Sequence, residues 1–197
     1  MHRRSFWFAV ISIGAFTAGF LLAPALADDT PAGIAGYYVS GPNAKLPNGG
    51  RPAARVPFPA IADWSSLRIT LVRSVCFGAC PAYTVEIDGD GTVRYHGERY
   101  VAVTGNRTDR IDAAKVRALF DRFRRADYFW TFDHYRAQVT DLPQFTTSIS
   151  FDGHSKSVSD YAGRWIGMPE DVYDLEGAID EAAGTGKWVK GPDRGPQ

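Results

Sequence analysis

The sequence predicts an α+β fold: an antiparallel sheet built from a four-strand meander, a helix, a β-hairpin and a C-terminal helix, with the helices on one face. Three observations predict it. Apolar residues alternate at period two in several short runs between residues 67 and 161. Two longer stretches carry apolar residues at helical spacing instead. The period-two runs are joined by short turn sequences rather than by helices, which argues for hairpins over βαβ units.

The elements follow in order. Residues 1–27 read as a secretory signal peptide. Arg3 and Arg4 form a basic start, Phe6 to Leu22 is uncharged and mostly apolar, and Ala25-Leu26-Ala27 supplies a cleavage site before Asp28. A spanning helix needs about 20 apolar residues and this run is slightly short, so no stable membrane span is expected after cleavage. The mature chain is then expected in the periplasm or outside the cell. Residues 28–63 hold six prolines (31, 42, 47, 52, 57 and 59) and no period, which reads as a Pro/Gly-rich linker or arm. Ile34 and Tyr37-Tyr38 are its candidates for docking on the domain.

A single α+β domain is expected over residues 64–190, with a disordered tail over 191–197. Leu67, Ile69 and Leu71 alternate with polar neighbours as a first strand, and Tyr83, Val85 and Ile87 as a second. Asp88-Gly89-Asp90-Gly91 is a turn. Val93 and Tyr95 mark a third strand, Gly97-Glu98 turns again, and Tyr100 to Val103 read as a fourth. Asp112 is a good N-cap for a helix whose Val116, Leu119, Phe120 and Phe123 fall at i, i+3, i+4 and i+7. Phe145, Thr147, Ile149 and Phe151 alternate, Asp152-Gly153 is a two-residue hairpin signal, and residues 154–161 return. Pro169 opens the last helix, Val172, Leu175 and Ile179 form its stripe, and Gly184 ends it.

Cys76-Phe77-Gly78-Ala79-Cys80-Pro81 contains both cysteines of the chain. Two thiols sent to an oxidising compartment end most simply as one disulfide. Gly78 eases the tight turn that such a bridge needs. The other reading is soft-metal or redox chemistry, with Cu(I) held by Cys76 and Cys80 and by His96, His134 or His154. Cys-x-x-x-Cys-Pro is similar to the motif of Sco-type copper chaperones, where a helix follows the cysteines. Here residues 82–88 alternate at period two, so a strand follows.

Arg73-x-x-Cys76-Phe77-Gly78-x-Cys80-Pro81-x-Tyr83, then Gly89-Asp90-Gly91-Thr92-Val93-x-Tyr95-x-Gly97, resembles a bacterial domain-of-unknown-function family, DUF 6438. Thr140-Asp141-x-Pro143 and Leu175-Glu176-x-x-Ile179-Asp180 add to the resemblance, which covers roughly residues 65–183. The resemblance implies an α+β domain on exported proteins, and no particular activity.

Other chemistry is thin. Lys plus Arg and Asp plus Glu both total 22, so nothing draws the chain to nucleic acid. No His-x-x-x-His or His-Glu-x-x-His pair, no Gly-x-Ser-x-Gly elbow and no phosphate-cradling glycine motif occurs. Asp88, Asp90 and Thr92 offer oxygens but lack the further carboxylates of a calcium loop. The aromatic run gives a candidate binding surface at Tyr128, Trp130, Phe132 and Tyr135, against which stands the plainer role of core. Asp133, His134 and Asp141 are the one grouping suited to an enzyme, and no residue is assigned as catalytic. The reading is an exported, non-catalytic binding module of the bacterial envelope, stabilised by one local disulfide and needing no cofactor. Its partner is a protein or small ligand. Its surface is the sheet face away from the helices or the aromatic segment. The alternative is a periplasmic thiol protein with copper or redox work.

Overall fold

A computed structural model describes residues 36–39 and 45–190. The signal peptide, its cleavage site, Ile34 and the tail at 191–197 lie outside the described residues. The meander comprises β2 (Arg68–Arg73), β3 (Ala82–Asp88), β4 (Thr92–Arg99) and β5 (Gly105–Arg110), each antiparallel to the next. The hairpin is β7 (Phe145–Phe151) with β8 (His154–Tyr161), and β7 pairs with β2. Two short strands complete the far edge, β1 (Gly36–Val39) and β6 (His134–Ala137). The sheet has eight strands in the order β1-β6-β8-β7-β2-β3-β4-β5. Its β1–β6 and β6–β8 pairings are parallel, so the expected antiparallel sheet carries a parallel edge.

Helix α1 (Ala113–Arg125) starts where the Asp112 carboxylate accepts from Ala114 N–H at 2.7 Å. Such a cap contributes about 1 kcal/mol. Val116, Leu119, Phe120 and Phe123 are all buried, each contributing roughly 1.5–3 kcal/mol. Helix α3 (Glu170–Ala183) follows Pro169 and ends at Gly184 in the left-handed region (φ 66°). Its buried stripe contains Val172, Leu175 and Ile179, and it packs across β2, β3 and β7. Two one-turn helices, α2 (Gly163–Ile166) and α4 (Gly186–Val189), flank it. The inward residues Ile69, Leu71, Val85, Ile87, Tyr95, Ile149 and Val158 are at most 1% exposed. Alternate residues are exposed, as at Arg94 and Ser157, or half-buried, as at Thr70, Glu86 and Ser148, so the helices cover one face and leave the other bare.

The hairpin turn is pinned from two sides. Asp152 (φ 46°) and Gly153 (φ 77°) supply the paired left-handed conformations that a two-residue turn requires. The Asp152 carboxylate also accepts from Ala62 N–H at 2.5 Å and from Ser66 Oγ at 2.9 Å.

The fourth meander strand lies later than expected. Residues 100–103 form the connection, with Tyr100 at φ 55°, and β5 begins at Gly105. Val101 and Val103 are only half-buried, and Ala102 and Val103 donate to the α4 carbonyls of Val189 and Trp188 instead of joining a ladder. The true edge strand is polar throughout, so no alternation marks it.

The described part of the Pro/Gly-rich segment is packed rather than free. Gly36–Val39 pairs in register with His134–Ala137. Leu46 is 6% exposed and belongs to the core, and Phe58 packs edge-on to Phe120 and Phe129 at 5.3 and 5.2 Å. The Arg51 guanidinium donates to the carbonyls of Ala126 and Trp130 at 3.0 and 3.1 Å, closing the C-terminal end of α1.

Candidate functional site

Cys76 and Cys80 are joined as a disulfide with Cα atoms 5.6 Å apart, and no free cysteine is present among the described residues. The bridge closes the β2–β3 connection, and β3 begins at Ala82, directly after Pro81. A strand rather than a helix therefore follows the cysteine pair. The loop is tied to its neighbour: Phe77 N–H donates to Asp141 C=O at 3.3 Å, Ser74 N–H donates to Gln144 C=O at 3.0 Å, and Gln144 N–H donates to Ser74 Oγ at 2.9 Å. The Phe77 ring stands out at 87% exposure.

The histidines are dispersed. His96 on β4 meets Asn106 Oδ1 at 2.6 Å through Nδ1. His154 closes the hairpin beside Phe151 and Phe129, with ring centroids 5.8 and 6.4 Å away. His134 is exposed at the start of β6. Among the described residues no three His, Cys, Asp or Glu side chains are grouped to hold a metal. Asp88 and Asp90 are engaged in the turn itself: Asp88 pairs with Arg68 at 3.1 Å and Arg94 at 2.5 Å, while Asp90 accepts from Thr92 N–H at 2.9 Å.

Of the four aromatic candidates, Tyr128, Phe132 and Tyr135 are buried. Tyr128 O–H bonds the Thr147 carbonyl at 2.7 Å under the sheet, and burial pushes its phenol up, away from ionisation. Tyr135 O–H donates to Gly50 C=O at 2.6 Å. Only Trp130 reaches the surface, with its Nε1–H on Pro52 C=O at 2.8 Å and its ring covered by Arg51 and Arg55 at 5.3 and 5.6 Å. The run is core plus one arm-anchoring indole, not an open aromatic platform.

Asp133 and His134 line one cleft, whereas Asp141 sits with the cysteine loop and does not reach it. The cleft encloses about 770 Å³ beside the β8 edge, with Ala54 and Val56 of the arm as one wall and Ser155, Ser157 and Ser159 as the other. At its floor Lys156 donates to the Asp133 carboxylate and, at 2.8 Å, to Thr131 C=O.

The cleft opens onto the bare sheet face. One cross-strand row there reads Ser157, Ser148, Thr70, Glu86, Arg94. The next reads His134, Ser159, Thr146, Val72, Thr84, His96. Neighbouring strands lie about 4.8 Å apart, and six of the eight positions that these rows occupy from β8 to β3 are serine or threonine, the other two being Val72 and Glu86.

Two groups of charged side chains whose pairing sequence reading missed, one half-buried and one buried, hold the covered side together. Arg73 donates to Asp180 Oδ2 from Nε and Nη2 at 2.9 and 2.7 Å, while Tyr83 O–H and Thr185 Oγ1 both donate to Asp180 Oδ1 at 2.7 Å. Burial pushes the Tyr83 phenol up, and the Asp180 carboxylate adds to it. Glu176 on α3 and Asp160 on β8 are each 4% exposed and hydrogen-bond one another. Burial first, then the neighbouring Asp160 charge, pushes the Glu176 carboxyl up to about 9.

The architecture is that of an α+β domain with a single mostly antiparallel sheet, helices on one face and a disulfide-bridged loop between two meander strands. Within that class, the chain belongs to the family described as Domain of unknown function (DUF6438), whose family model matches residues 67–183, from the start of β2 to the end of α3. No curated protein matches the chain. Among the described residues no helix is long and apolar enough to cross a membrane.

Proposed function

We propose that the protein is an exported, non-catalytic binding module of the bacterial envelope, released to the periplasm or beyond after cleavage near Ala27. Its binding surface is the helix-free sheet face together with the cleft at the β8 edge. The single observation that carries this reading is the contrast between the two faces. One is sealed by helices and aromatic rings, whereas the other carries mostly serine and threonine from β8 to β3, interrupted by Val72 and Glu86, with no element over it among the described residues. The disulfide fits this role as a local staple, because bonded sulfurs offer no thiolate to ligate Cu(I).

The test is site-specific photo-crosslinking in living cells. A photoreactive residue at Ser148 or Thr70, on the bare face, is expected to capture a partner, and one at Lys115, on the outer surface of α1, is not. Fractionation with N-terminal sequencing is expected to find the chain starting at Asp28 outside the cytoplasm. Equal capture from both faces, or none from either, defeats the binding reading. A retained leader in the cytoplasm defeats the exported one.

A further inference from the structure

Strand β8 is longer than its outer partner. Residues His154–Tyr161 form β8, but β6 pairs only with Ser159, Asp160 and Tyr161. The ladder on that side starts where Ser159 N–H donates to Asp133 C=O at 2.8 Å. Backbone groups repeat their direction every second residue in a strand, so the N–H and C=O of Ser157 and Ser155 face the same way as those of Ser159. On that side lies the 770 Å³ cleft rather than a strand. Among the described residues no backbone group pairs with Ser155 or Ser157 there.

We infer that this cleft accepts an extended peptide segment of a partner protein, added to the β8 edge as a strand that continues the line of β6. This rests on the binding-module reading and names its ligand class. The backbone supplies the affinity: Ser155 and Ser157 each offer one outward N–H and one outward C=O, an unfilled continuation of the β6–β8 ladder. Strand addition to an exposed edge uses such a row, and the flanking walls set side-chain preference. Side chains of an inserted strand alternate between two environments. One set meets Phe129 and the arm residues Ala54 and Val56, and the other meets the hydroxyls of Ser157, Ser159 and Thr146. Lys156 and Asp133 neutralise one another at the floor, so the slot calls for no charged side chain. The ligand class is an uncharged stretch alternating apolar and small polar residues.

The test uses the full mature chain and a phage-displayed random heptapeptide library, with the selected sequences made as synthetic peptides. Ser157→Pro removes the outward N–H together with the Ser157 hydroxyl, which donates to Thr147 C=O at 3.5 Å and whose loss Ser157→Ala reports separately. Ser157 turns its backbone away from β7, and proline is tolerated where a strand N–H faces out of the ladder. Peptide affinity is expected to fall by about tenfold or more in Ser157→Pro, the scale of one or two lost backbone bonds, and to stay within about threefold in Ser157→Ala. N-methylation along the peptide is expected to weaken binding at every second residue. Hydrogen exchange at the Ser155 and Ser157 amides is expected to be fast in the free protein and slowed in the complex. If Ser157→Pro disturbs the fold, the N-methyl alternation and amide protection decide. Peptides that bind a natively folded Ser157→Pro equally, N-methyl effects without alternation, or failure to select any peptide would overturn the inference. So would slow exchange of both amides in the ligand-free protein, which would mean that the slot is filled from within the chain. Crosslinks from Ser148 and Thr70 would still decide the wider binding reading in each of these cases.

Discussion

The carboxyl group of Glu176 hydrogen-bonds the carboxylate of Asp160 inside the protein, joining the middle of α3 to the end of β8. Two buried carboxylates this close cannot both ionise without large cost, so the pair keeps one proton on Glu176. Asp160 then accepts from Glu176 on one side and from Gly163 N–H at 2.5 Å on the other, which fixes the turn from β8 into α2.

This pair sets a pH dependence of stability. The folded-state pKa of Glu176, about 9, lies above its ordinary value of 4.5, and that of Asp160 is also raised. A raised acid binds its proton more tightly in the native state. The stabilisation is therefore complete below about 4.5 and is lost as pH rises toward 9, with a slope of up to about 1.4 kcal/mol per pH unit. Urea unfolding from pH 5 to 9 is expected to show falling stability. Glu176→Gln keeps a donor to Asp160 without a titrating proton, and is expected to flatten that slope. An unchanged slope in Glu176→Gln would show that the pair does not hold the proton.

What the sequence revealed and what it concealed divide along physical lines. Strands β2, β3, β4 and β7 and helices α1 and α3 each bury one side, so burial writes a period into the residue types. β5 is a polar edge and β6 is only four residues long, so neither carries a period long enough to detect. The arm docks through backbone carbonyls, two guanidinium groups and isolated apolar residues such as Leu46 and Phe58, contacts that carry no period. The buried carboxyl pair did leave a trace. In α3 the stripe Val172, Leu175, Ile179 has its i+4 place filled by Glu176, a charged type where an apolar one belongs. Lys156 and Asp160 likewise share the inward parity of Val158 on β8. The β8 slot left none, because it arises from the unequal lengths of two paired strands.

Asp180 is the hub of the other ionic group, and its removal strands a cation. In Asp180→Ala the Arg73 guanidinium loses both of its bonds while remaining packed over the Phe145 ring at 4.4 Å. The side chains are 18% and 20% exposed, so water relieves part of the cost of a fully buried broken pair. A loss of about 2–3 kcal/mol is expected. Tyr83→Phe, which removes one bond to the same carboxylate, is expected to cost about 1 kcal/mol. Chemical denaturation of both variants checks the ranking. Equal losses would show that the ion pair adds nothing beyond the phenol.

The disulfide spans only five residues, so its chain-entropy contribution is about 2 kcal/mol. Reduction, or the double change Cys76→Ser and Cys80→Ser, is expected to lower stability by that order and leave the far-ultraviolet spectrum unchanged. The loop keeps its other anchors, through Ser74 to Gln144 and Phe77 to Asp141. Collapse of the meander on reduction would mean that the bridge carries the sheet.

The arm residues Gly50 and Arg51 test whether the segment outside the family match is part of the fold. Gly50 sits at φ 79°, and a Cβ there would lie 2.0 Å from Gly167 C=O, backbone that cannot swing aside. Its own carbonyl accepts from the buried Tyr135 hydroxyl. Gly50→Ala therefore combines a left-handed conformation with a backbone collision, and forces the arm off the β6–α2 surface. Arg51→Ala removes the donor from Ala126 and Trp130 carbonyls and from Asp171, at a cost of about 2 kcal/mol for carbonyls left without their partner. Thermal melts are expected to rank Gly50→Ala below Arg51→Ala, and both below the parent. Limited proteolysis is expected to cut within residues 51–61 only in the variants. A parent chain cleaved there as fast as the variants, with an unchanged melt, would show that the arm only rests on the domain.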